Sequence, residues 1–118
     1  MNRMSIWVTG AFVGWHNYPE APEDVGYLQF PHRHKFNWKV EIFTAVSIDR
    51  ELEFHLTQLM ITNYLIRSIN VQSTGSCEMI AQLISTIVLD HIGHYDHTVT
   101  VDEDGECGAC YYVSGQST

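Results

Sequence analysis

A chain of 118 residues, 45 % of them hydrophobic, is sized for one domain with a modest core, a size that often gains stability by oligomerising. Its formal net charge of −8, with 6 Lys and Arg against 14 Asp and Glu, argues against a nucleic-acid groove and leaves small molecules or further copies of the chain as the expected partners. Three cysteines make no disulfide framework, and no apolar run approaches the ~20 residues of a membrane span, so a reducing, cytoplasmic setting with no membrane partner is expected.

In chain order, the N-terminal stretch has an early Arg3, but Thr9 and Gly10 interrupt its apolar run, so a signal peptide is not expected. Ser5 to Val13 is rich in Ile, Trp, Val, Thr and Phe and predicts a strand. The stretch NYPEAPEDVGY, Asn17 to Tyr27, holds two of the three prolines and predicts a surface excursion. From His34 to Val46, Phe36, Trp38, Val40 and Ile42 alternate with Asn37, Lys39 and Glu41, the pattern of a half-buried strand. Asp49 is placed as a helix cap, and Leu52, Leu56, Leu59, Met60 and Tyr64 recur at helical spacing to about Ile66. Ser76 caps a second predicted helix, with Glu78 in its first turn and a buried stripe of Ile80, Leu83, Ile84, Ile87 and Val88, ending near Gly93. The C-terminal part predicts a hairpin: Tyr95 to Glu103, a turn at Asp104 and Gly105, then about Cys107 to Val113. The order is ββααββ, an α+β single domain with a four-stranded antiparallel sheet and two helices on one face.

His32 and His34 head the second strand, and residues i and i+2 of a strand face the same side. His16 lies just past the end of the first strand. If those strands pair as neighbours, three imidazoles meet, the ligand set of a catalytic zinc; otherwise they are surface histidines beside a loop. His91, His94 and His97 are expected at the surface and His55 as structural. Cys107 and Cys110 are spaced as CxxC, but one such pair in a hairpin has neither the second half of a zinc ribbon nor the strand-to-helix setting of a thioredoxin motif. They are read as strand residues. Cys77, in the first turn of the second helix, is positioned for the helix dipole to favour its thiolate; a small buried thiol is the alternative. Arg50 and Arg67 are read as solvated charges flanking the first helix, with contact to a neighbour's substrate in an oligomer as the alternative.

Nearly the whole chain resembles, in order and spacing, the 6-pyruvoyl- and 6-carboxy-tetrahydropterin synthase family. The resemblance is carried by WH (Trp15, His16), HRH (His32 to His34), LEFHL (Leu52 to Leu56), SCEMIAQLI (Ser76 to Ile84) and VTVDEDGECGACY (Val99 to Tyr111). It implies the tunnelling fold (T-fold), a homo-hexamer of two rings back to back with sites between subunits, and a zinc held by residues matching His16, His32 and His34. It also implies a glutamate at a strand end, here Glu103, accepting hydrogen bonds from the amino-pyrimidine edge of a pterin.

The chain departs from that pattern at the proton-handling positions. A catalytic cysteine usual in the family falls at Leu28, an Asp-His pair falls at Ile69 and Asn70, and the glycine between the zinc histidines is Arg33, expected to add bulk and charge beside the metal. Two functions from different classes follow. One is a zinc-dependent lyase or synthase acting on a dihydropterin such as dihydroneopterin triphosphate, in pterin or 7-deazapurine biosynthesis, with Cys77 or water held by the metal moving protons. The other is a lapsed synthase that captures a pterin, purine or related nucleotide without turning it over.

Overall fold

Alternating apolar and polar side chains run through the two long N-terminal strands, and the computed structural model, which describes residues 2–115, pairs them along their whole length. Strand β1 (Met4–His16) and strand β2 (His32–Thr44) are antiparallel, with Met4 opposite Thr44 at one end and His16 opposite His32 at the other. Strand β3 (His97–Glu103) pairs with β2, and strand β4 (Cys107–Val113) with β3, giving a four-stranded antiparallel sheet in the order β1-β2-β3-β4. Helix α1 (Phe54–Ser68) and helix α2 (Cys77–Ile87) lie between β2 and β3 in the chain, so the expected α+β architecture and ββααββ order are present. No helix among the described residues is long and apolar enough to cross a membrane.

The core follows from the period of the strands. Phe36, Trp38, Val40 and Ile42 of β2 and Val99 and Val101 of β3 are buried on one face, where they meet Ile61, Leu65, Ile80, Ile84 and Val88 of the helical layer. Each such side chain is worth about 1.5–3 kcal/mol relative to exposure. Lys35, Lys39 and Arg33 project from the alternate positions into solvent. A close approach fixes one sequence choice: Gly10 lies opposite Trp38, and a Cβ there would overlap the indole ring. The stretch between β1 and β2 is a surface excursion as expected, although its second half winds into 3-10 turns from Glu23 to Gln29.

Several boundaries differ from the sequence reading. Strand β1 continues to His16, and β3 starts at His97, two residues later than expected. Helix α1 starts at Phe54, five residues after Asp49, because Arg50 takes a positive φ of 54° and Glu53 supplies the cap, its side chain accepting from the His55 N–H. Its buried stripe is Thr57, Ile61 and Leu65, while Leu56, Leu59 and Met60 are exposed. The helix carries two apolar stripes, and spacing alone does not say which one meets the core. In α2 the expected stripe is buried, with Leu83 only partly so, and the helix closes through a wider turn, Val88–Ile92, before Gly93.

His97 is a correction. It is 1 % exposed, not at the surface, because it opens β3 on the core-facing side. Its Nδ1 is 2.7 Å from the Tyr95 carbonyl oxygen and therefore donates, so Nε2 accepts from the Ser85 hydroxyl at 2.8 Å, which fixes a neutral ring. Burial lowers its pKa below the usual 6.5, outweighing the Tyr95 carbonyl and Asp96, which act in the other direction. The unfolded chain takes up this proton near pH 6.5 and the folded chain only below that, so stability is full above about pH 6.5 and falls as pH drops towards the folded value. The denaturation midpoint of chelator-treated protein should therefore fall from about pH 7 to about pH 5.5, and His97→Gln should flatten that slope. A slope unaffected by the substitution would assign it to other histidines.

Candidate metal centre and adjoining cavity

Strand register builds the site. His16 and His32 are direct partners across β1 and β2, and Gly14, opposite His34, contributes no side chain to the same face. The three imidazole rings gather within 4.6 Å (His16 to His32), 4.9 Å (His32 to His34) and 5.2 Å (His16 to His34), centroid to centroid. The ring of Phe36, fully buried, lies 5.4 Å from His16 and 6.0 Å from His34 and forms the floor where the site joins the core.

Each ring is held through Nδ1. His16 Nδ1 is 2.8 Å from the Gly75 carbonyl oxygen, and His32 Nδ1 is 2.8 Å from that of Phe30. His34 Nδ1 is 2.6 Å from Asp104 Oδ2. An oxygen acceptor at Nδ1 draws the proton to that nitrogen and leaves the lone pair on Nε2, the tautomer a metal requires. One nitrogen from each ring lies within 4.8 Å of the others, and His34 Nε2 is buried without a hydrogen-bond partner. An orphaned buried nitrogen is costly on its own and is accounted for by a cation. The three residues therefore fit a divalent metal, and among the described residues they form the one cluster of this kind. Borderline ions such as zinc suit an all-imidazole set.

The supports are local. Loop residues Val71 and Thr74 bond to the backbone of Trp15, at 2.8 and 2.9 Å, which brings the Gly75 carbonyl under His16. Gly75 takes φ +78°, and Ser76 then caps α2 by accepting from the Met79 N–H. On the other side, Asp104 at the hairpin turn accepts from the Lys35 amide at 2.8 Å as well as facing His34. The His34 bond first, and the Lys35 amide next, hold its carboxyl below the usual carboxylate range. From sequence, Asp104 is read as a residue of the hairpin turn, with no part in the site. Its role becomes visible through the pairing of β2 with β3, which a single sequence does not print.

Glu103 closes the same end of the sheet. It lies opposite Phe36, and its Oε1 is 3.3 Å from His16 Nε2 and its Oε2 3.6 Å from His34 Nε2. Beside it opens a cavity of about 610 Å³, whose walls include His16, His32, Glu103, Cys77, Leu28 and Tyr18. Cys77 thus reaches the site, but burial first, and then Glu103 and Glu78, push its thiol up to about 12. The thiolate expected from the helix N-terminus is not the form this cavity favours, because lost hydration and nearby carboxylates oppose the dipole.

Other expected residues fall elsewhere. Arg33 is exposed and one residue out of phase with His32 and His34, so it points to the opposite face and not towards the metal. Ile69 ends α1, and Asn70 uses its side chain to accept from the Gln72 N–H; neither lines the cavity. His91 stacks on Tyr64 at 3.6 Å, and Cys107 and Cys110 are exposed residues of β4, as read, although Cys107 also lines the cavity. A second cavity, about 700 Å³, lies at the far end of the β1–β2 pair among Met4, Val46, Ile48 and Phe54, with no comparable ligand cluster. Comparison with protein-family models and with curated proteins finds no match for this chain.

Proposed function

We propose that the protein is a zinc-dependent T-fold protein of the tetrahydropterin synthase kind, acting on a dihydropterin such as dihydroneopterin triphosphate in pterin or 7-deazapurine biosynthesis. The observation that carries this reading is the junction of three Nε2-presenting histidines with a cavity of ligand size. Zinc bound there supplies a Lewis acid that polarises an oxygen of the substrate side chain. The chain's own residues do the rest. Glu103 accepts hydrogen bonds from the amino-pyrimidine edge, a charge-assisted pair that orients the ring, while Leu28, Tyr18 and Met79 offer an apolar wall. Cys77 reaches the cavity as a thiol and is the candidate for handing a proton on.

The same reading includes the homo-hexamer with sites between subunits, in a cytoplasmic setting. It is supported by the outer edges of β1 and β4, which pair with no other strand among the described residues, and by exposed Trp7, Val13 and Tyr112 on those strands. Unpaired edges invite strands from other copies. A second reading, capture of a pterin, purine or related nucleotide without turnover, is favoured by Leu28 standing in the cavity and by Ile69 and Asn70 lying outside it.

Mass spectrometry of the metal and small molecule that copurify, followed by incubation with dihydroneopterin triphosphate, tests both. Consumption of the substrate supports the enzyme, with Cys77→Ser cutting turnover about a hundredfold if the thiol moves the proton. Intact ligand retained without turnover supports capture. Failure to bind any dihydropterin or purine overturns both.

A further inference from the structure

We infer that Glu103 is itself a ligand of the metal, filling the fourth position in the ligand-free protein and withdrawing when a small molecule enters the cavity. The inference rests on the metal reading of the three histidines and gives Glu103 a second task beside orienting a ring.

The distances carry it. Zinc–ligand bonds of about 2.0–2.1 Å at tetrahedral angles set neighbouring donor atoms roughly 3.4 Å apart. Glu103 Oε1 stands 3.3 Å from His16 Nε2 and Oε2 stands 3.6 Å from His34 Nε2, so the carboxylate reaches two of the three histidines, one oxygen to each, at about that spacing. The alternative is an ordinary histidine–carboxylate ion pair. It accounts for only one of the three gathered rings, since His32 makes no ion pair with the carboxylate. It also leaves His34 Nε2 buried and unbonded, because 3.6 Å is too long for a hydrogen bond. A divalent cation held by His16, His32 and His34 would stand beside a carboxylate that already faces two of the three.

Strand geometry makes the placement durable. Glu103 ends β3 on the core-facing side, opposite Phe36, two residues along β2 from His34. The next residue, Asp104, is tied to the Lys35 amide and to His34, so the strand end is fixed at the metal by the same hairpin that orients a ligand. A site with four protein ligands is closed, whereas metals that act on substrates keep a position open. A ligand that uses this metal must therefore displace the carboxylate. Ring N–H donors arriving in the adjoining cavity do so by taking over its lone pairs, which couples ligand capture to opening of the metal.

Cobalt(II) loaded into chelator-stripped protein tests this without reference to turnover. Wild type should bind one cobalt per chain with a visible spectrum that excess azide leaves unchanged, and Glu103→Gln should bind at least about tenfold more weakly and respond to azide. A wild-type spectrum that shifts with azide, together with unchanged cobalt affinity in Glu103→Gln, places the carboxylate outside the coordination sphere and overturns the inference while leaving the histidine site standing. No cobalt uptake by wild type overturns the histidine site and this inference with it.

Discussion

His32→Ala should abolish tight metal binding, lowering affinity by at least about a hundredfold while the chain stays folded. Changing a residue that merely orients a metal-bound histidine already costs about ten- to a hundredfold, and removing a ligand outright costs more. The fold survives because His32 is half-buried at the open end of the sheet, outside the hydrophobic cluster, and its Nδ1 bond is to the nearby Phe30 carbonyl. Isothermal titration with zinc, alongside circular dichroism of the variant, separates these two effects. Wild-type affinity in His32→Ala would place the metal elsewhere.

Phe36→Ala should cost about 3–5 kcal/mol in stability, the usual penalty for emptying a buried aromatic position. That is a large share of the about 5–15 kcal/mol that holds a domain of this size. Phe36 is also where the core and the site meet. It stacks on Phe12 at 5.3 Å and lies edge-on to His16 and His34, so its loss leaves both rings without a floor. Metal affinity should fall with stability in this variant, measured by urea denaturation and zinc titration on the same sample. A core residue remote from the site, such as Ile84, should lower stability alone when replaced by Val.

How much of this was readable beforehand depends on the range of the interaction. Period-two alternation in β2 marked Phe36, Trp38, Val40 and Ile42, and all four are buried, because one face of a strand is decided by its own sequence. His32 and His34 share a face for the same reason. Bringing His16 to them required the pairing of β1 with β2, a nonlocal fact that the sequence reading assumed and the register supplies. Helix α1 was harder. Leu56 and Ile61 are both good core residues, and only packing against β1 and α2 selects the stripe through Thr57, Ile61 and Leu65. His97 shows the converse: a polar residue in a run of histidines is buried because Ser85 and the Tyr95 carbonyl satisfy both its nitrogens. Cys77 was placed correctly at a helix start, but the dipole is one influence among several, and desolvation wins there.

Three histidines from paired strands are arranged to hold a divalent ion beside a ligand cavity. Chelator-stripped wild-type protein titrated with zinc in a calorimeter tests it most directly. Saturation at about one zinc per chain is the expected result. A flat titration, with no zinc taken up by protein that is shown to be folded, would contradict it.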